Sequence, residues 1–240
     1  MDQYDEQRRN FLIKALGWGV FATSATGLSI PAWAMGQIPD ELPAGRSIYR
    51  LNGKVKIDGA EANLDTRIKA GSVIETGADS NIIFAVGRDA FILRSHGKLE
   101  MQGGNILLSG FRLVTGKLLS VFGKRKPDSQ LRLNTTVATI GIRGTGVYLE
   151  SEPEKTYVCT CYGTADLVAN NDAESKETVV TNHHDSPRFV LANAAVGKKI
   201  QQAPVINHTD EELELIEALV GRSVPFSFSG DYDSMRKNKY

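Results

Sequence analysis

Apolar residues along this chain come in short runs, each closed by Gly, Asn or Asp. The runs are Ile48–Leu51, Lys54–Ile57, Ser72–Thr76, Asn81–Val86, Phe91–Arg94, Lys98–Met101, Phe111–Thr115, Lys117–Phe122, Leu131–Asn134, Ala138–Ile142 and Val147–Glu150. A recurrence of about 8–12 residues predicts an all-β sandwich, barrel or solenoid. Asn52-Gly53 and Asp58-Gly59 are hairpin signals, because both dipeptides tolerate positive φ. Gly87-Arg88-Asp89 reads as a further turn. A second group of strands begins near Thr156: Thr156–Tyr162 and Thr164–Ala169 joined at Gly163, then Glu177–Asn182 and Arg188–Ala192. Asn170-Asn171-Asp172 is the turn between them. The pattern predicts all-β architecture of stacked short strands, solenoid- or sandwich-like, with one C-terminal helix.

That helix follows Thr209. Asp210, Glu211 and Glu212 form a capping-box arrangement with acids at the positive end of the helix dipole. Leu213, Ile216, Leu219 and Val220 share one face, and Gly221 can end the helix. The face is expected to dock on its own domain. The end of the chain reads as a loose tail.

The first 34 residues differ from the rest. Arg8-Arg9, Phe11-Leu12 and Lys14 resemble the twin-arginine export motif, followed by a mildly apolar stretch from Ala15 to Ile30. Ala32-x-Ala34 suits signal peptidase, with a cut before Met35. The stretch is shorter and more diluted than the roughly 20 apolar residues of a spanning helix. The expectation is cleavage, a periplasmic mature protein and no stable membrane anchor. The motif implies export in the folded state, often with a cofactor already inserted. The expected division is a signal peptide at 1–34, a linker at 35–46, a β domain at 47–203 and a C-terminal helix with tail at 204–240.

Composition narrows the function classes. Lys+Arg and Asp+Glu are 28 each, so the chain has no net field to attract nucleic acid or anionic lipid. No nucleic-acid role is expected. The basic loop Gly123–Asp128 reads as solvated surface. The 23 glycines fit many tight turns.

Several stretches carry a family resemblance. Gly71-Ser72-Val73-Ile74-Glu75-Thr76-Gly77 with Ser80, then Lys98-Leu99-Glu100-Met101, Gly116-Lys117-Leu118 and above all Thr136–Thr145 resemble the pattern of FecR-type periplasmic domains. The last stretch resembles the family's "T-x-x-A-x-x-x-x-R-G-T" signature. The resemblance covers roughly 50–150 and weakens toward 200, where Gly197-Lys198-Lys199 matches a closing turn. It implies a stack of short strands that relays a signal by protein contact. In the best-known members a membrane helix joins this domain to a cytoplasmic anti-sigma segment. Here only the leader precedes the domain, so a stand-alone exported module is expected. Arg143, Gly144 and Thr145 are expected to be structural: the glycine shapes a turn and the guanidinium braces neighbouring strands. Phosphate-loop chemistry is unsupported, since the Gly-Lys-Ser/Thr ending is absent.

Candidate chemistry gathers elsewhere. The two cysteines stand in Tyr157-Val158-Cys159-Thr160-Cys161-Tyr162. On a strand, residues two apart share a face, so both thiols project together beside Tyr157. His183-His184 follows on the next strands, whereas His96 and His208 look isolated. Three readings stay open: a Cys-x-Cys disulfide, near the upper limit of bridging distance; a zinc or copper site of Cys159, Cys161 and one of His183 and His184; or thiols that are packed as small hydrophobes or pair with another chain. Asp185 could orient His184. No Gly-x-Ser-x-Gly or His-Glu-x-x-His occurs, and Asp89, Ser95 and His96 as a triad fit chance. The function expected is a non-catalytic, periplasmic FecR-like binding or signalling module that meets an envelope protein. The alternative is a periplasmic metal-binding or redox protein.

Overall fold

The computed structural model describes residues 39–104, 107–125 and 131–226. The leader, part of the basic loop and the C-terminal tail lie outside the described residues. Among the described residues the protein is strand-rich, with one short helix toward the C-terminal end. In chain order the strands are β1 (Ile48–Asn52), β2 (Val55–Ile57), β3 (Ala60–Glu61), β4 (Val73–Thr76), β5 (Asn81–Val86), β6 (Asp89–Leu93), β7 (Lys98–Gly104) and β8 (Leu107–Val121). Then follow β9 (Leu131–Asn134), β10 (Ala138–Ile142), β11 (Gly146–Ser151), β12 (Lys155–Ala169), β13 (Asp172–Thr181), β14 (Arg188–Leu191) and β15 (Ile200–Gln202). The helix α1 spans Asp210–Ala218.

Two sheets face each other. Sheet A runs β1-β5-β6-β8-β11-β12-β14-β15, and sheet B runs β3-β2-β4-β7-β8-β9-β10-β12-β13. All pairings are antiparallel except β8 with β9. The two 15-residue strands β8 and β12 belong to both sheets. Each changes sheet at a glycine with positive φ: Gly116 (φ 95°) and Gly163 (φ 90°). The sequence pattern reads these same glycines as breaks between separate strands. They are bends within continuous ones, because hydrogen bonding resumes on the other sheet.

The apolar pattern follows from this layering. Ile82, Phe84, Phe91, Leu118, Leu149 and Val158 of sheet A meet Phe111, Leu133, Ile140 and Leu167 of sheet B in the inner core. The alternate residues of sheet A, among them Ile83, Ile92, Leu119, Tyr148, Tyr157 and Cys159, form a second core on its outer face. Helix α1 covers that face with Leu213, Ile216 and Leu219, all buried. Burying each such side chain contributes about 1.5–3 kcal/mol. Sheet A is therefore covered on both sides, and Asn81–Val86 is nearly continuous in apolar character for that reason. The expected docking of the helix on its own domain is what the structure shows.

The local signals are realised with one exception. Asp58 (φ 53°) and Gly59 (φ 83°) make the two-residue β2–β3 hairpin. Gly87 (φ 61°) with Arg88 turns β5 into β6. Asn52-Gly53 does not close a hairpin: β1 lies in sheet A and β2 in sheet B, so this turn carries the chain between sheets. Thr209 caps α1, accepting from the Glu212 N–H while the Glu212 side chain accepts from the Thr209 N–H. Gly221 (φ 69°) follows the helix end. The expected linker is tied down in part, since the Leu42 N–H donates to Leu219 O at 3.1 Å. Among the described residues no helix is long and apolar enough to cross a membrane.

Candidate functional site

The outer face of sheet A collects both cysteines and three of the four histidines, His183, His184 and His208. Cys159 and Cys161 lie on β12 and are free, fully buried thiols. The β11–β12 register slips by one residue between Gly146 and Val147, which leaves Cys161 without an opposite number. At this bulge Cys161 and Tyr162 both turn into the outer core, where Tyr157 and Cys159 already point.

His184 arrives from the turn after β13. Its φ of 53° breaks strand alternation, and its N–H donates to Cys161 O at 2.9 Å. This places the His184 Nδ1 at 3.4 Å from Cys159 Sγ. His183 turns aside: its Nε2 meets Asp210 Oδ2 at 2.9 Å, and its ring packs on Phe226. Of the two adjacent histidines, His184 is the one beside the thiols.

His208 is not isolated. It precedes the helix cap, and the segment it belongs to folds back over sheet A. Tyr157 holds that segment by donating its hydroxyl to Pro204 O at 2.9 Å. Asn207 donates to Glu150 at 2.7 Å, and Arg94 binds both Asn207 O and Glu212. The His208 ring stacks on Tyr148 with centroids 4.5 Å apart. Its Nδ1–H donates to Ile206 O at 2.6 Å, and its Nε2 faces His184 Nδ1 at 3.0 Å. Asp185 does not orient His184, because its carboxylate accepts from Thr181 and Asn182. Asp210, the first residue of α1, does so instead, with Oδ1 at 3.0 Å from His184 Nε2.

The electrostatics are those of a linked chain of charges. Burial pushes the Cys159 thiol up, but Cys161, His184 and His208 outweigh it and hold Cys159 well below its ordinary value. Cys161 is pushed well above by burial and by its neighbour Cys159. His184 is raised to about 9: burial opposes this, and Asp210 and Cys159 overcome it. Asp210 is lowered, with burial overcome by His184 and His183. The four atoms Cys159 Sγ, Cys161 Sγ, one ring nitrogen of His184 and one of His208 lie within 4.8 Å of one another, and all four residues are buried. Two thiols and two imidazoles at this spacing can hold a soft or borderline cation.

The signature residues lie elsewhere, at the corner where β12 changes sheet. Thr145 is fully buried; its hydroxyl donates to Thr164 O at 2.9 Å and accepts from the Thr164 N–H. Gly144 (φ 66°) makes the turn, and Gly163 packs on it so closely that an added Cβ would lie 2.9 Å from Gly144 O. Arg143 pairs with Asp166 at 2.8 Å on the surface. The triad expected to be chance does not assemble: Asp89 is buried against Arg125 and the Gly123 N–H, and Ser95 bonds to Ser80. Arg125 thereby folds inward, unlike the solvated loop the sequence suggested.

Fold and site together define a two-sheet β protein with a closed Cys/His cluster beneath a C-terminal helix. No family model matches the chain, and no curated protein matches it. Two crystal structures of a putative anti-sigma factor from Parabacteroides distasonis are similar to it, with TM-scores of 0.44 and 0.43 at 12% identity. Each match covers 55% of this chain and 58% of that one, so the chain spans less than two thirds of the length of those relatives.

Proposed function

We propose that the chain is an exported, non-catalytic FecR-like module that works by binding an envelope protein in the periplasm. The observation that carries this reading is the use made of Arg143-Gly144-Thr145. This most specific part of the resemblance is spent on the corner between sheets, with Thr145 buried and doubly bonded to Thr164. A motif used in this way is scaffold, so the binding surface is sought on the strands that the corner positions.

The surface beside the corner is the outer face of sheet B. Gly110, Arg132, Gly141, Asp166 and Thr178 stand side by side across five strands. Arg132 and Thr178 are exposed, and Val180, on the same strand and face, is 70% exposed. An open face with both signs of charge suits contact with a folded protein, whereas small molecules favour enclosed apolar pockets.

A photo-crosslinking residue at Thr178, in cells producing the full chain, tests the reading. The expected result is one discrete crosslinked species in the periplasmic or envelope fraction, lost with Arg132→Glu. Retention of the chain in the cytoplasm, or a pattern identical to that of a crosslinker at the exposed loop residue Glu154, contradicts it.

A further inference from the structure

The structure assigns Cys159, Cys161, His184 and His208 as the four ligands of a zinc ion, in a closed site that staples the C-terminal segment to sheet A. This goes beyond the binding reading above and does not depend on it.

The facing pair of nitrogens is the first reason. His208 Nδ1 bonds to a backbone carbonyl, which only accepts, so that nitrogen carries its proton. His184 Nε2 faces the carboxylate of Asp210 and is likewise the donor there. In neutral rings the remaining nitrogens, His208 Nε2 and His184 Nδ1, present lone pairs, yet they stand 3.0 Å apart. Two lone pairs at that distance repel unless a cation lies between them. Cys159 Sγ points at the same place from 3.4 Å.

The donor set chooses the cation. A proton on His184 Nδ1 would serve His208 Nε2 and Cys159 Sγ, but it would leave Cys161 Sγ with the 3.7 Å contact to Cys159 O. A tetrahedral zinc ion serves four, with Zn–N of roughly 2.0 Å and Zn–S of roughly 2.3 Å. These lengths imply separations of roughly 3.3 Å between nitrogens and 3.8 Å between sulfurs at the tetrahedral angle. The four ligand atoms, 3.0 Å apart at the nitrogens and all within 4.8 Å, need only small adjustments to reach those values. Two thiolates balance the charge of a divalent ion, so the filled site buries no net charge at its centre.

The outer contacts are the second reason. Histidines that hold metal donate their other N–H to a carboxylate or a backbone carbonyl, which fixes tautomer and orientation. His184 has Asp210 and His208 has Ile206 O, one of each kind. Four protein ligands leave no open position, the hallmark of a structural rather than a catalytic zinc. The ligands come from β12, the turn after β13, and the segment before α1, so the ion joins three parts of the chain.

The test uses the full chain, purified under reducing conditions, loaded with zinc and desalted. Elemental analysis is expected to find about one zinc per chain, as for a closed four-ligand site. Cobalt(II) in place of zinc is expected to give the intense visible absorption of tetrahedral thiolate coordination. Cys161→Ser and His208→Ala are expected to weaken binding about a hundredfold or more, and His96→Asn to leave it unchanged. Asp210→Asn is expected to weaken it about 10–100-fold, as for other outer contacts. The cobalt spectrum of the unsubstituted chain gives an answer even if a cysteine variant fails to fold. Wild-type protein that loses its zinc on desalting overturns the proposal. So does a folded His208→Ala variant with unchanged affinity and cobalt spectrum.

Discussion

His184 and His208, 24 positions apart in sequence, bring ring nitrogens to 3.0 Å inside the outer core of sheet A. Neither is held there by its immediate sequence neighbours alone. His184 is set by a left-handed turn bonded to Cys161 O, and His208 by a segment bonded to Tyr157, Glu150 and Arg94. The helix that follows carries Asp210 onto both His183 and His184. Anchoring of the C-terminal segment and assembly of the site are thus one event.

The helix cap provides a first check. Thr209→Ala removes the side-chain bond to the Glu212 N–H and is expected to cost about 0.5–2 kcal/mol. Because His208 is the preceding residue, hydrogen exchange should quicken across 206–218 while the inner-core strands keep their protection. Uniform loosening of the whole sandwich would contradict this division.

At the corner between sheets, the signature residues should contribute unequally. Arg143→Ala removes an exposed ion pair and is expected to cost at most about 1 kcal/mol. Thr145→Val removes the side-chain partner of the part-buried Thr164 N–H and one of the two donors to Thr164 O, and is expected to cost about 1–3 kcal/mol. Urea unfolding of the two variants decides the order. A larger effect at Arg143 would point to a contact outside this chain.

Gly163 makes the same corner from the other side. Gly163→Ala places a side chain at φ 90° and a methyl group 2.9 Å from Gly144 O and Thr145 Oγ1. The expected loss is roughly 2–3 kcal/mol, read from the urea midpoint. A loss no greater than that of an ordinary surface substitution would mean that the bend is not fixed by this contact.

Two carboxyls should show opposite pH behaviour. Burial is the largest influence on Glu217, beside Tyr162 and Arg222, and raises it above its ordinary 4.5. The folded state therefore binds a proton more readily than the unfolded one, and Glu217's contribution declines as pH rises from 4.5 through the raised value. The cost of Glu217→Gln should be largest in acid and shrink as pH rises. Asp166 is lowered, first by the Thr178 hydroxyl and then by Arg143. Its contribution is present above 3.8 and lost as pH falls through the lowered value, so the cost of Asp166→Asn should vanish in strong acid. Parallel pH profiles for the two variants would contradict the assignment.

Much of the fold is legible in residue order. Turn spacing marks most of the strands, Ala138–Ile142 and Leu131–Asn134 among them, and the capping pattern after Thr209 marks the helix. Gly116 and Gly163 read as strand ends because a glycine break and a sheet-switching bend have the same local chemistry. The three-residue β15 and the two-residue β3 carry too little pattern to be seen. At the site, the shared face of Cys159 and Cys161 follows from strand alternation. The choice of His184 over His183 does not, because it rests on a positive φ that breaks alternation. His208 is beyond reach of local pattern, since its position depends on where the helix that begins at Asp210 docks, and that helix follows His208 in sequence. The apolar stripe of α1 was the one available hint that the segment returns to the sheet.

The most direct test is X-ray absorption at the zinc edge of the zinc-loaded full chain. The expected first shell is two sulfurs at about 2.3 Å and two nitrogens at about 2.0 Å, from Cys159, Cys161, His184 and His208. A shell of oxygens, or of a single sulfur, would contradict it.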